Sequence, residues 1–288
     1  MAAGARDQRE PEYRRSVSSE VRRRGPGPTA IVALIGIGAL IAAGGPMIAS
    51  ASPGRDRVGA APVLAGHGWV ALVYELSLST RVVGAPWGLA LDGAIGVGPR
   101  LTIGVSESAA ALGTIDRSGG RCLTSVAHDC PRSYRGGLLD VRWRLRDGPW
   151  AAAALARLGV SGVAPLRPLV RLGLRGAGQR GRWWGVAEPE IAISLGERAA
   201  GNRDTIELPI WLGVDGDVGP GLISAWLRTG VRGEIDELDE KYELALGAGA
   251  AIGRDWWRAG LDLGWPQLLG PQNSFKQRQA SVWLALEI

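Results

Sequence analysis

After Pro62, apolar and polar positions alternate along the chain with a period of two, the spacing of a β-strand with one apolar face, rather than the 3.6-residue period of a helix. Val70, Leu72, Tyr74, Leu76 and Leu78 alternate with Trp69, Ala71, Val73, Glu75 and Ser77. Leu89, Leu91, Ile95 and Val97 alternate with Ala90, Asp92, Ala94 and Gly96. The pattern recurs over residues 101–106, 139–145, 150–160, 170–175, 190–195 and 206–212, and again over 223–231, 242–248, 257–263 and 280–288. Twelve strands are predicted.

The connections between them alternate in length. Tight turns are expected at Gly98-Pro99, Asp147-Gly148, Asp215-Gly216-Asp217 and Gly253-Arg254-Asp255, with a slightly longer one over 176–181. The clearest long connections are 109–135, 196–204, 233–240 and 266–275. Short and long links taking turns put all tight turns and both ends of the strand array on one side, as in an up-and-down barrel whose longer loops face outward.

Alternation alone fits a soluble β domain, whose apolar face meets a core, as well as a membrane barrel, whose apolar face meets lipid and whose polar face meets a lumen. Strands of about ten residues match a tilted bilayer crossing. Trp69, Trp87, Trp150, Trp183, Trp184, Trp256, Trp257 and Trp265 stand near predicted strand ends, where indoles anchor a barrel at the two membrane interfaces. The sequence therefore predicts an all-β fold, an antiparallel up-and-down transmembrane β-barrel of about twelve strands. A soluble secreted barrel binding a lipid or small molecule is the alternative in which these tryptophans are core.

Composition changes the picture at the N-terminus. Residues 29–43 form an uncharged apolar run preceded by Arg22-Arg23-Arg24 and followed by Ala49-Ser50-Ala51, the pattern of a secretory signal. The expected organisation is a signal peptide with an extended basic n-region over 1–51, a short periplasmic segment over 52–67, and a barrel over 68–288. Residues 1–51 hold seven arginines against four carboxylates, while the rest of the chain holds 26 basic against 24 acidic residues. The net charge of +5 is therefore no nucleic-acid footprint, which needs a basic face on the folded domain. Cys122 and Cys130, the only cysteines, lie in a predicted outer loop and would close a disulfide in an oxidising compartment.

The last ten residues, Gln279-Ala280-Ser281-Val282-Trp283-Leu284-Ala285-Leu286-Glu287-Ile288, are similar to the C-terminal assembly signal of bacterial outer-membrane barrels, and residues 68–288 resemble a small single-chain member of that class. The class normally ends in an aromatic residue, where this chain has Ile288. The resemblance implies the outer membrane of a Gram-negative bacterium as location, with outer-membrane lipid and the barrel-assembly machinery as partners.

If the apolar set faces lipid, the inward set is charged. The expected lumen-lining residues are Arg142, Arg144, Arg157, Arg171, Arg175, Glu188, Glu190, Glu207, Arg228, Arg258 and Asp262. Arginines dominate strands four to six and carboxylates strands seven and eight, which sets a basic wall beside or across from an acidic one. Two readings follow. The charges line a small porin-like pore for small solutes, anionic ones included, since rings of charge select ions; or they pair off into a plug, since buried charges must be paired. Small twelve-stranded barrels of this class include channels for acidic oligosaccharides with arginine-rich lumens, and the resemblance implies that Arg142, Arg144, Arg157, Arg171 and Arg175 would contact an anionic solute. The class also includes a phospholipase. A serine nucleophile needs a histidine within reach, yet His67 precedes the first strand and His128 lies in the cysteine-bounded loop, so no catalytic residue, cofactor or metal is predicted.

Overall fold

A computed structural model describes residues 66–78, 87–108, 120–123, 134–163, 165–271, 274 and 276–288. The expected signal peptide, Cys130 and His128 lie outside the described residues, and with Cys130 so does the Cys122–Cys130 pairing.

Fourteen strand segments form one antiparallel sheet: β1 (Gly68–Ser77), β2 (Trp87–Gly96), β3 (Leu101–Ser106), β4 (Gly120–Cys122), β5 (Tyr134–Arg146), β6 (Trp150–Val163), β7 (Leu166–Arg180), β8 (Trp183–Ala187), β9 (Glu190–Ser194), β10 (Thr205–Val218), β11 (Gly221–Glu234), β12 (Tyr242–Arg254), β13 (Trp257–Leu269) and β14 (Gln279–Glu287). Segments β3 and β4 both pair with β2 and β5, so they are two halves of one stave; β8 and β9 both pair with β7 and β10 and form another. The result is twelve staves. Pairing of β1 with both β2 and β14 closes the sheet, and Trp69 to Ser77 of β1 align with Glu287 to Gln279 of β14. Closure leaves no sheet edge, the condition for a sheet to sit in lipid.

The alternation read from the sequence is the alternation of burial. On β1, Ala71, Val73 and Glu75 are buried while Leu72 is half exposed; on β2, Asp92 is buried between exposed Leu91 and half-buried Gly93. A closed single-layer sheet has only an inside and an outside. The exposed row (Leu72, Leu91, Leu139, Leu172, Leu227, Leu284) is therefore outer, and the buried polar row is inner.

Several turns fall elsewhere than predicted. Asp215-Gly216-Asp217 lies within β10, and the reversal comes at Gly219-Pro220, where Gly219 takes a left-handed φ of 57°. Asp215 stays in the ladder because its carboxylate is buried among donors of the interior. Similarly, 176–180 continues β7 to a reversal at Gly181-Arg182, and Gly253-Arg254 continues β12 to one at Asp255-Trp256. Segments β6 and β7 also run further than the pattern suggested, meeting at Val163 and Leu166 across a bulge, so that link is short.

Candidate functional site: the barrel interior

Two buried layers occupy the interior. The first is ionic. Asp140 and Arg142 are two residues apart on β5, so both point inward; Arg157 on β6, Arg171 and Arg175 on β7, Glu190 on β9 and Glu207 on β10 join them, with Glu188 at the β8–β9 junction. Arg157 is the hub. Its Nε donates to Asp140 Oδ2 at 3.2 Å, its Nη2 to Glu188 Oε1 at 2.9 Å, and its Nη1 to Glu190 Oε1. Arg175 Nη1 reaches the same Glu188 oxygen at 2.6 Å, and Arg142 Nη2 lies 2.8 Å from Asp140 Oδ2. Arg171 Nη1 donates to Glu207 Oε2 at 2.8 Å, with Thr205 Oγ1 and Arg232 Nε on the other oxygen at 3.2 and 3.3 Å.

The register explains these partners. Arg157 stands opposite Arg171, and Glu190 opposite Glu207, so these two cross-strand pairs carry like charges. Two guanidinia also pass over the adjacent stave to a carboxylate on the next, Arg157 from β6 to β9 and Arg171 from β7 to β10, while Asp140 and Arg157, and Glu207 and Arg232, pair directly across adjacent strands. The fork of arginine suits such two-way contacts.

The second layer is aromatic. The Trp184, Trp226 and Trp283 rings follow one another at centroid separations of 6.5 and 6.4 Å, and Trp69 and Trp211 belong to the same buried cluster with Ala71, Val73, Ala90, Ala94, Ala177 and Val186. Three of the indole N–H groups are met: Trp184 Nε1 donates to Asp215 Oδ1, and Trp226 and Trp283 Nε1 donate to the two oxygens of Asp262, each at 3.0 Å, whereas Trp69 Nε1 is buried without a hydrogen-bond partner among the described residues. Small residues make the space. Along one cross-strand row Trp184 faces Gly213, Gly213 faces Trp226, and Trp226 faces Gly249; a Cβ on Gly213 would stand 2.2 Å from the Trp184 ring, and one on Gly249 2.4 Å from Trp226. Beside Asp262 a cavity of about 10 Å³, room for about one water, is lined by Glu75, Arg228, Asp262, Gly264, Gln279 and Ser281 of β1, β11, β13 and β14.

Of the residues expected inside, Arg142, Arg157, Arg171, Arg175, Glu188, Glu190 and Glu207 come together in the ionic layer, while Arg228 and Asp262 flank the cavity. Arg258 is buried near the start of β13, away from that layer, and Arg144 is only partly buried, 3.2 Å from exposed Asp147 at a tight turn. The tryptophans need correction. Trp183 and Trp256 do face outward, 68% and 64% exposed, but Trp69 and Trp184 are interior rather than interfacial. Trp211, Trp226 and Trp283 were not singled out from the sequence, although each stands at an inward parity position beside Leu212, Leu227 and Leu284.

At the loop rim, the β9–β10 connection is tied to the barrel by its own side chains. Asn202 Nδ2 donates to Pro168 O and Gly196 O at 3.1 and 2.7 Å, and Asp204 accepts from Ser194 N and Arg198 Nη2, both at 2.8 Å. The Arg198 hydrogen bond first, then the Ser194 amide, hold the Asp204 carboxyl below its ordinary value. A group depressed in this way stabilises the fold above its unfolded pKa of about 3.9, and that contribution is lost as pH falls through the lower folded value. The Ser194 amide resonance should accordingly titrate with a midpoint below about 3.9. A midpoint at or above that value would show that Asp204 does not hold this loop.

No protein-family model matches the chain, and no curated protein matches it. Among solved structures, the NanC porin superposes with a TM-score of 0.54 at 4% identity, covering 76% of this chain and all of that one. The KdgM porin superposes with a TM-score of 0.50 at 9% identity, covering 76% of this chain and 98% of that one. At these identities the likeness is one of fold: the chain has the twelve-stranded barrel architecture of outer-membrane porins.

Proposed function

We propose that the chain is an outer-membrane barrel of a Gram-negative bacterium whose interior is closed by the side chains of its own wall, and which acts through its surface and rims rather than as an open diffusion pore. One observation carries this: inward charged side chains on β2, β5, β6, β10 and the β8–β9 junction are sealed from water, with Asp92 and Asp140 0% exposed and Arg157, Glu188 and Glu207 2%. The residues lining a water-filled channel would be wetted. Exposed leucines around the outer face support lipid as the surrounding medium over the soluble barrel. On the same reading residues 1–51 are the export signal, and Gln279 to Ile288 is the strand offered to the assembly machinery.

The second reading is a small porin-like pore for anionic solutes, with Arg142, Arg144, Arg157, Arg171 and Arg175 as contacts. The fold shared with two porins favours it, and the pairing of these arginines with Asp140, Glu188, Glu190 and Glu207 counts against it. Planar-bilayer recording on the refolded chain from Ser52 distinguishes the two. The closed barrel inserts, is heat-modifiable and passes no unitary current. Steady steps whose ion preference shifts when Arg142, Arg144 and Arg171 are changed together to Gln would establish the pore instead.

A further inference from the structure

The tight-turn end of the barrel carries an excess of exposed arginine over carboxylate. At the tight-turn end, exposed arginines recur around the rim: Arg100 before β3, Arg146 closing β5, Arg180 and Arg182 on either side of Gly181, and Arg254 closing β12. The exposed carboxylates of that rim are Asp147, Asp217 and Asp255, three against five. Among the described residues none of the five arginines sits in an ion pair. Exposed indoles lie beside them, with Trp183 next to Arg182, Trp256 two residues after Arg254, and Trp143 facing Leu101 next to Arg100. At the opposite rim the β11–β12 connection gathers Glu234, Asp236, Glu237, Asp239 and Glu240 around Lys241, and Arg167, Arg198, Arg203, Lys276 and Arg278 stand at the same end, so charge there is mixed.

We infer that the tight-turn rim is a binding belt for the phosphate headgroups of anionic phospholipids in the adjoining leaflet. This rests on the membrane-barrel reading above. Outward indoles set the depth of the rim at the headgroup level. At that depth a guanidinium meets phosphate oxygens, which its fork matches, and a lipid with net negative charge gains over a zwitterionic one that carries its own ammonium. Arginines spread over four of the five tight turns place that gain around most of the circumference. They form a ring for the boundary lipids rather than a single pocket.

The test uses the refolded barrel in phosphatidylcholine vesicles containing trace spin-labelled phosphatidylglycerol or phosphatidylcholine, with boundary association read by electron spin resonance. Insertion, followed by heat-modifiable mobility, is scored first, so that failure of the membrane reading shows as failure to insert and takes the belt down with it. For the inserted wild type, labelled phosphatidylglycerol should associate roughly fivefold more strongly than labelled phosphatidylcholine, with the preference fading in molar salt. The variant R100Q/R146Q/R180Q/R182Q/R254Q should insert and show a ratio near one, while the matching Arg→Lys variant keeps most of the preference. An inserted wild type without preference overturns the proposal and leaves the barrel standing. A preference undiminished in the Gln variant overturns it too, and places the lipid selectivity elsewhere. Should the Gln variant fail to insert, the salt series on the wild type decides, because a preference that survives molar salt is not electrostatic.

Discussion

Replacing Arg157 with Met is expected to destabilise the inserted barrel by about 3–5 kcal/mol, read as a lower urea midpoint for loss of the compact, heat-modifiable form. Methionine fills much of the arginine's volume, so the effect isolates charge and hydrogen bonding. In the variant, Asp140 retains Arg142 and Glu188 retains Arg175, but Glu190 loses the guanidinium to which it is bonded. The penalty of a buried, uncompensated carboxylate should therefore concentrate on Glu190. Adding Glu190→Gln to the Arg157→Met background should recover a substantial part of the loss, whereas Glu190→Gln alone should destabilise. Additive effects of the two changes would mean that Arg157 and Glu190 act independently.

Trp226→Ala is the second large change, at about 3–5 kcal/mol. The indole stands between Trp184 and Trp283, and its N–H is one of two that Asp262 accepts from tryptophans, so truncation opens a void and strips a partly buried acceptor together. Trp226→Phe keeps most of the ring and should cost only the hydrogen bond, about 1–3 kcal/mol. A specific coupling follows from the glycine opposite. A methyl at Gly249 would press on the Trp226 ring, so Gly249→Ala should cost about 1–3 kcal/mol in the wild type and clearly less in the Trp226→Ala background, where the ring is absent. Equal costs in both backgrounds would remove the Trp–Gly fit from the account of how the interior closes.

These two layers are what the proposal of a closed interior rests on. A lumen charge serves a pore when it faces water. Here the guanidinium of Arg171 faces Glu207, and that of Arg157 faces three carboxylates. The ionic layer thereby links staves β5 to β11, and the buried tryptophans project inward from β8, β10, β11, β14 and β1.

Strand existence, number and facing were legible in the chain because each side chain's face follows from parity alone. Ala71, Val73 and Glu75 are inward for the same reason that Leu72 is outward, and no long-range information is needed to say so. The inward charges were legible on the same ground. Turn positions were less so, since Asp215-Gly216-Asp217 has turn composition and yet stays in β10, held by the Trp184 indole and the Ser224 hydroxyl from neighbouring staves. Composition near a strand end likewise could not tell Trp183, which faces lipid, from Trp184, which fills the interior, until parity was applied to the pair.

Whether the interior is open or shut was a matter for the tertiary structure. It depends on register, which sets Arg157 against Arg171 and Glu190 against Glu207 and so sends the Arg157 and Arg171 guanidinia across a stave to Glu190 and Glu207. It depends equally on the alignment that puts Gly213 and Gly249 on either side of Trp226. Side-chain period determines which face a residue takes. Only the closed register determines what it meets there.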